Sequence, residues 1–296
     1  EMEIQSRFFS PGDNQPPVVE QLHWGGGTPT YLSDCQKQQL MKDIGNYFQL
    51  LKDDSGDYSI EVHPGQISHR TVPRLRQLGF NRLSMGVQDF NPDVQKAVNR
   101  FNSIEQVEQL ITAARREQFH SISMDIIYGL PRQNLQTIKT TLSQVIDLSP
   151  DRLSLFNYAH MPHLFKTQRQ IDQTAMPSAG EKLQMLHSAI EQLCAAGYVY
   201  IGMDHFAKPG DSLVLAQQQG TLQRNFQGYS THGNLNLLAF GVSAISSIGN
   251  NLLQNHKKLE DYNRAIDRGQ LPIRRGLTLS YEDLLREQII MQLICH

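Results

Sequence analysis

Three consecutive glycines, Gly25, Gly26 and Gly27, run into Thr28 and Pro29 in the segment HWGGGTPTYL. A tight turn needs one or two residues without a Cβ, whereas a run of three bares enough backbone for a polar small molecule to lie against it. The run lacks the GxGxxG spacing of dinucleotide sites and the GK[ST] of phosphate loops, so neither mechanism follows. A loop that needs close strand–helix approach is the structural alternative. Further along, Glu61, Gln88, Asp125, Asn157 and Asp204 each fall at or just past the end of an apolar run. A carboxylate there can serve as a base, a metal ligand or an anchor for an amine or ribose, or it can hold a loop through a salt bridge. Several on one face favour function, because buried unpaired carboxylates are costly.

Other reactive side chains are less specific. His23, His63 and His205 also lie near strand ends, where buried hydrogen-bonded histidines are common. HMPH sets His160 and His163 three apart, but Met161-Pro162 makes a turn there rather than a metal-binding helix face. DDSGD, beginning at Asp53, lacks the spacing and closing Glu of a calcium loop and reads as a solvated turn. Arg100, Lys166, Arg169, Lys208 and Arg224 could serve an acidic substrate. RNFQGYSTHG, from Arg224 to Gly233, suits a loop closing over a ligand or a structural loop.

These residues need elements to hold them. Candidate strands cover 18–24, 58–62, 82–87, 121–128, 152–158 and 198–205. Helical patterns cover 34–51, 69–78, 103–118, 135–148 and 178–196. Ser103 with Gln106, and Ser178 with Glu181, have the form of capping boxes, and Gly79 and Gly197 stand where a left-handed residue ends a helix. Residues 11–17 and 208–212 read as turn-rich connectors. Strand–helix alternation implies parallel strands joined by crossover helices. Polar or glycine residues at six separate strand ends favour a barrel over an open doubly wound sheet, which would gather its ligand at one crevice. The expected fold is α/β, a partial parallel barrel.

Composition narrows the function classes. The 296 residues are 39% hydrophobic and 19% charged, which fits a folded chain. The net charge of −2 gives no general pull toward nucleic acid or an anionic membrane. No run approaches the roughly 20 apolar residues of a membrane span, and no signal segment opens the chain. Cys35, Cys194 and Cys295 form neither a disulfide framework nor a close-spaced metal motif, which suggests a reducing, cytoplasmic setting. The first residues read as the tail of a helix and the last as an interrupted one, so the chain is expected to be a fragment cut at both ends.

Taken together, LHWGGGTPTYL, SIEVHP, GFNRLSMGVQDFN, MDIIYGLP, DRLSLFNYAHMP and YIGMDHFAKP resemble the oxygen-independent coproporphyrinogen III dehydrogenase (oxidase) family of radical S-adenosylmethionine (SAM) enzymes. The first two motifs occur widely in that superfamily. NYAHMP and the run from IGMDHFAKPGDSL to RNFQGYSTHG are more particular to this family. The resemblance implies a partial (β/α) barrel whose first strand is missing here. It implies the end of an upstream helix and a linker over 1–17, the barrel with a strand extension over 18–250, and the start of a helical region over 251–296.

The activity the resemblance implies is oxidative decarboxylation of two propionates of coproporphyrinogen III to vinyls. A 5′-deoxyadenosyl radical carries it out, giving protoporphyrinogen IX in haem biosynthesis. Two SAM molecules and a [4Fe–4S] cluster are the implied cofactors; an electron donor and an electron acceptor are the implied partners. Neither nucleic acid nor membrane is expected as a partner, and a monomer is the default. By resemblance Gly26, Glu61 and the backbone around Ile245 meet the first SAM. Gly27, Thr28, Gln88, Arg100, Asp125 and Ala159 face the second. His63 departs from the family's pattern, where an acidic residue is expected. The cluster's Cys-x3-Cys-x2-Cys motif belongs upstream of the glycine run and is absent from this chain, which by itself is expected to be inactive. No catalytic residue and no metal ligand is assigned within it. A haem-binding or haem-transfer relative is the alternative reading.

Overall fold

The computed structural model describes residues 1–9, 16–233 and 235–296. Most of the connector expected at 11–17 lies outside the described residues. The chain divides into two compact units that interleave along it. One comprises Gln21–Gln36 and Lys52–Val214; the other comprises Glu1–Glu20, Lys37–Leu51 and Leu215–His296.

The first unit is built on a seven-stranded sheet. Its strands are β1 (Gln21–Trp24), β2 (Asp57–Val62), β3 (Arg82–Gln88), β4 (Ser121–Tyr128), β5 (Arg152–Asn157), β6 (Val199–Gly202) and β7 (His205–Ala207), in the order β1-β2-β3-β4-β5-β7-β6. The first five run parallel, so their carboxyl ends share one edge of the sheet. The helices of this unit are α1 (Val72–Gln77), α2 (Pro92–Ala97), α3 (Ile104–Arg116), α4 (Leu135–Leu148) and α5 (Ala179–Ala195). The boxes at Ser103 and Ser178 form with both reciprocal hydrogen bonds, and Gly79 and Gly197 adopt positive φ.

Alternation along the strands sorts residues between two faces. Ile60 and Val62 of β2, Leu83, Met85 and Val87 of β3, and Ile122, Met124 and Ile126 of β4 are buried. They form the core together with Leu75, Val107, Leu110, Ile138, Leu142 and Val145 from the helices. The intervening residues, among them Glu61, Ser84, Gly86, Gln88 and Asp125, stay partly exposed on the other face. One face of the sheet therefore holds the fold and the other is left polar.

The strand expected over 198–205 is instead a hairpin. Gly202 (φ +149°) and Met203 (φ +51°) turn the chain, and β7 pairs antiparallel with both β6 and β5. Asp204 thus sits in a turn rather than at the end of a parallel strand, and its carbonyl accepts from the Leu155 N–H at 2.7 Å.

In the second unit, Val18–Val19 pairs with Gln49–Leu50, apart from β1. Ile245–Ile248, Asn251–Asn255 and Ile273–Thr278 form an antiparallel sheet, so residues 251–296 carry two strands besides the helices Leu259–Asp267 and Tyr281–Cys295. The Glu1 carboxylate accepts from Asn255 Nδ2 (2.7 Å), the Gly241 N–H (2.8 Å) and the Tyr262 hydroxyl (2.5 Å). Among the described residues no helix is long and apolar enough to cross a membrane.

Candidate functional site

At the carboxyl edge of β1 to β4 the polar face opens into a cavity of about 210 Å³. Gly27, Thr28, Glu61, Gln88, Arg100 and Asp125 line it, six of the nine residues singled out from the sequence. They come from the loop after β1, from β2, β3 and β4, and from the segment after α2. Gly26 is adjacent to Gly27 in the loop that leaves β1. Ala159 follows β5, where its carbonyl accepts from Gln168 Nε2 at 3.0 Å. Ile245 belongs to the second unit, in the antiparallel strand Ile245–Ile248.

Val62, His63, Ser84 and Gly86 complete the lining. The sequence reading did not single out Ser84 and Gly86. Their signal was parity: both share with Gln88 the i, i+2 spacing that puts them on one face of β3.

The glycine loop is shaped for close approach. Gly26 and Gly27 have φ of +79° and +154°, and a Cβ on either would point into open space. A side chain there would be strained by the backbone and would also occupy the room left for a ligand. At Gly86 a Cβ would come within 2.6 Å of Arg100 Nη2 and 2.8 Å of Gln88 Nε2, so only a bare backbone lets these side chains converge. Arg100 donates from Nη2 to the Gly86 carbonyl at 2.8 Å, while its buried Nε has no partner in the described structure. Gln88 sits at a register break between β3 and β4 and holds φ at +72°, a costly conformation for a residue with a side chain.

Electrostatics differ from group to group. Burial pushes the Asp125 carboxyl up to about 6; Glu61 adds to the rise, while a Ser154 hydrogen bond, His205 and Arg100 oppose it. Burial lowers the Arg100 guanidinium, and Asp125 works against that. His63 is held below the usual imidazole range by burial and then by Arg100. Its Nδ1 accepts from the Gly65 N–H at 3.1 Å, so the residue that departs from the family pattern lines the cavity as a neutral acceptor beside a cation. Glu61 is steadied by His23, whose Nε2 lies 3.2 Å from Oε1 and whose Nδ1 lies 2.7 Å from Ser59 Oγ.

The loops that carry this edge are tied by a buried carboxylate. Asp89 accepts from the Asn91 N–H (2.6 Å), Gln133 Nε2 (2.6 Å) and Thr141 Oγ1 (2.9 Å). Gln133 Oε1 in turn accepts from the Gly129 and Leu130 N–H groups. This network locks the loop after β3 to the loop after β4.

Chemically, the cavity combines free backbone, acceptors for hydroxyl or ammonium groups, and a guanidinium with an unused donor. That donor set fits a zwitterionic amino acid joined to a ribose, as in SAM. The cysteines do not fit an iron–sulfur cluster. Cys35 and Cys194 are exposed and Cys295 is buried, and no three of the described histidine, cysteine, aspartate or glutamate residues group as metal ligands.

Comparison with known proteins agrees with the fold and with the motifs. Residues 13–145 match the radical SAM superfamily. The chain is 53% identical over its whole length to the oxygen-independent coproporphyrinogen III oxidase of Pseudomonas aeruginosa, of which it covers 64%. It is 44% identical over 84% of its length to that of Thermostichus vulcanus, covering 76% of that relative. The solved structure of the coproporphyrinogen III oxidase of Escherichia coli, a radical SAM enzyme, superposes with a TM-score of 0.91 at 48% identity, over 94% of this chain and 64% of that one. The chain spans just under two thirds of the Pseudomonas and Escherichia proteins. On sequence and fold together, it belongs to the oxygen-independent coproporphyrinogen III oxidase family of the radical SAM superfamily.

Proposed function

We propose that this chain is the SAM-binding portion of an enzyme that oxidatively decarboxylates two propionates of coproporphyrinogen III to vinyls, yielding protoporphyrinogen IX in haem biosynthesis. The observation that carries the reading is the cavity lined by Gly27, Thr28, Glu61, Gln88, Arg100 and Asp125 in a chain of this family. SAM, when bound and cleaved by one electron from a donor, would supply hydrogen-atom abstraction at the propionate β-carbon.

The chain's own residues bind and orient. In this reading Gly26 and Glu61 hold one SAM, and Gly27, Thr28, Gln88, Arg100, Asp125 and Ala159 hold a second. The unused Arg100 donor pairs with a carboxylate, and Asp125 and Glu61 accept from hydroxyl or ammonium groups. No step is assigned to an iron–sulfur cluster, because the cysteines present do not make its ligand set. Carbon dioxide leaves and one electron per propionate passes to a one-electron acceptor; an electron donor is the other partner. We read the protein as a cytoplasmic monomer with no nucleic-acid or membrane partner.

Equilibrium dialysis with radiolabelled SAM tests the assignment. Saturable binding is expected, and Arg100→Ala weakens it by about ten-fold or more, the scale of a lost charge-assisted hydrogen bond. No saturable binding, or equal binding by the variant, would overturn it.

A further inference from the structure

The loop after β5 stands out from the rest of the first unit by charge and by exposure. Between Asp151 and Asp172 the sequence contains no acidic residue, while Lys166 and Arg169 are both exposed. Beside them Leu164 and Phe165 are 64% and 50% exposed, an apolar pair largely open to solvent. At the inner end of the loop, His160 has both ring nitrogens buried without a partner in the described structure, and so has the Tyr158 hydroxyl. The two rings lie 6.0 Å apart. Buried polar groups are rarely left unsatisfied in a native protein, so two neighbouring orphans point to a polar ligand. The loop leaves β5 at the carboxyl edge of the parallel strands, the edge that also carries the cavity.

The loop is also built to hold its shape. Gln168 bridges it, accepting from the Met161 N–H and donating to the Ala159 carbonyl. Arg169 donates from Nε to the Pro162 carbonyl at 3.0 Å, which leaves its two terminal nitrogens available for a carboxylate.

We propose that residues 158–170 receive the substrate, with Leu164 and Phe165 against an apolar macrocycle and Lys166 and Arg169 on its peripheral carboxylates. His160 and Tyr158 donate to a carboxylate that reaches the inner end. This rests on the porphyrinogen reading, because a tetrapyrrole with four propionates is the substrate class that pairs a broad apolar ring with anions at its rim. The absence of any acid along the loop keeps the rim of such a ligand free of repulsion.

Coproporphyrin III, a stable fluorescent tetracarboxylate, is the probe, with its tetramethyl ester as the uncharged control. Both are titrated into the 296-residue chain at low ionic strength, alongside SAM dialysis on the same preparations. Lys166→Ala and Arg169→Ala should each weaken coproporphyrin III binding about three-fold and together about ten-fold, the range of partly exposed ion pairs. Phe165→Ser should weaken the ester and the acid alike, and SAM affinity should stay unchanged in all four variants. Equal binding by wild type and the double variant overturns the proposal, as does an ester that binds as tightly as the acid. A wild-type chain that binds SAM but no porphyrin also overturns it and leaves the cofactor reading standing. Porphyrin binding that depends on the loop without any SAM binding upholds the loop and overturns the cofactor reading.

Discussion

Asp125 is a carboxylate kept at a cost to folding, and the cost can be measured. Its pKa rises from 3.8 to about 6, chiefly because burial disfavours the charged form. A native pKa above the unfolded value means that the folded state binds the proton more tightly. Below about pH 4 both states are protonated and no penalty arises. Between about pH 4 and pH 6 the penalty grows by about 1.4 kcal/mol per pH unit, and above that it is constant at about 3 kcal/mol. Asp125→Asn removes the ionisation while keeping the shape and an acceptor for Ser154. The variant should therefore match wild type in urea unfolding at pH 4 and exceed it by about 3 kcal/mol at pH 8. The same variant should bind SAM about ten-fold more weakly, since the anionic acceptor is gone. Gain in stability with loss of binding is the expected trade at a site built for a ligand. A stability difference that is flat from pH 4 to pH 8 would refute the reasoning about burial, whatever happens to binding.

Two further outcomes concern other carboxylates of the first unit. Asp89→Ala strips the partner from Gln133, Thr141 and the Asn91 N–H at once; calorimetry should show a loss of about 3 kcal/mol, with Asp89→Asn recovering part of it. Asp54, paired with Arg76 at 2.5 Å and with His120 at 2.8 Å, is lowered to about 2, mainly by the Arg76 hydrogen bond. Its stabilising contribution is present above about pH 4 and fades as pH falls through 2. Asp54→Ala should cost about 1 kcal/mol at pH 7, reduced by partial exposure, with the cost shrinking as pH falls through 2 and gone only well below it in acid titration of stability.

Local signals were legible in the chain, and distant ones were not. Ser103 with Gln106 and Ser178 with Glu181 mark helix starts because a capping box is complete within four residues. The parallel strands were legible because their apolar alternation is long, as in the seven residues of β3. The hairpin of β6 and β7 was not, since Gly202 and Met203 interrupt an apolar run that looks continuous in one dimension. The antiparallel strands of the second unit are short and rich in Ser, Asn and Gln, so no period stands out. At the site, strand-end carboxylates and the glycine run were readable from type and place. Ser84 and Gly86 were not, because their value lies in sharing a face with Gln88. Asp89 was invisible because its partners Gln133 and Thr141 lie 44 and 52 residues away.

The division of the sheet into an apolar face and a polar face also bears on how such a protein can change. In β3, Leu83, Met85 and Val87 answer to the helices, whereas Ser84, Gly86 and Gln88 answer to whatever occupies the cavity. Selection for a new ligand can act on the second set one residue at a time without disturbing the first. Inheritance of the scaffold and innovation at the site are thereby uncoupled, residue by alternate residue, along the same strand.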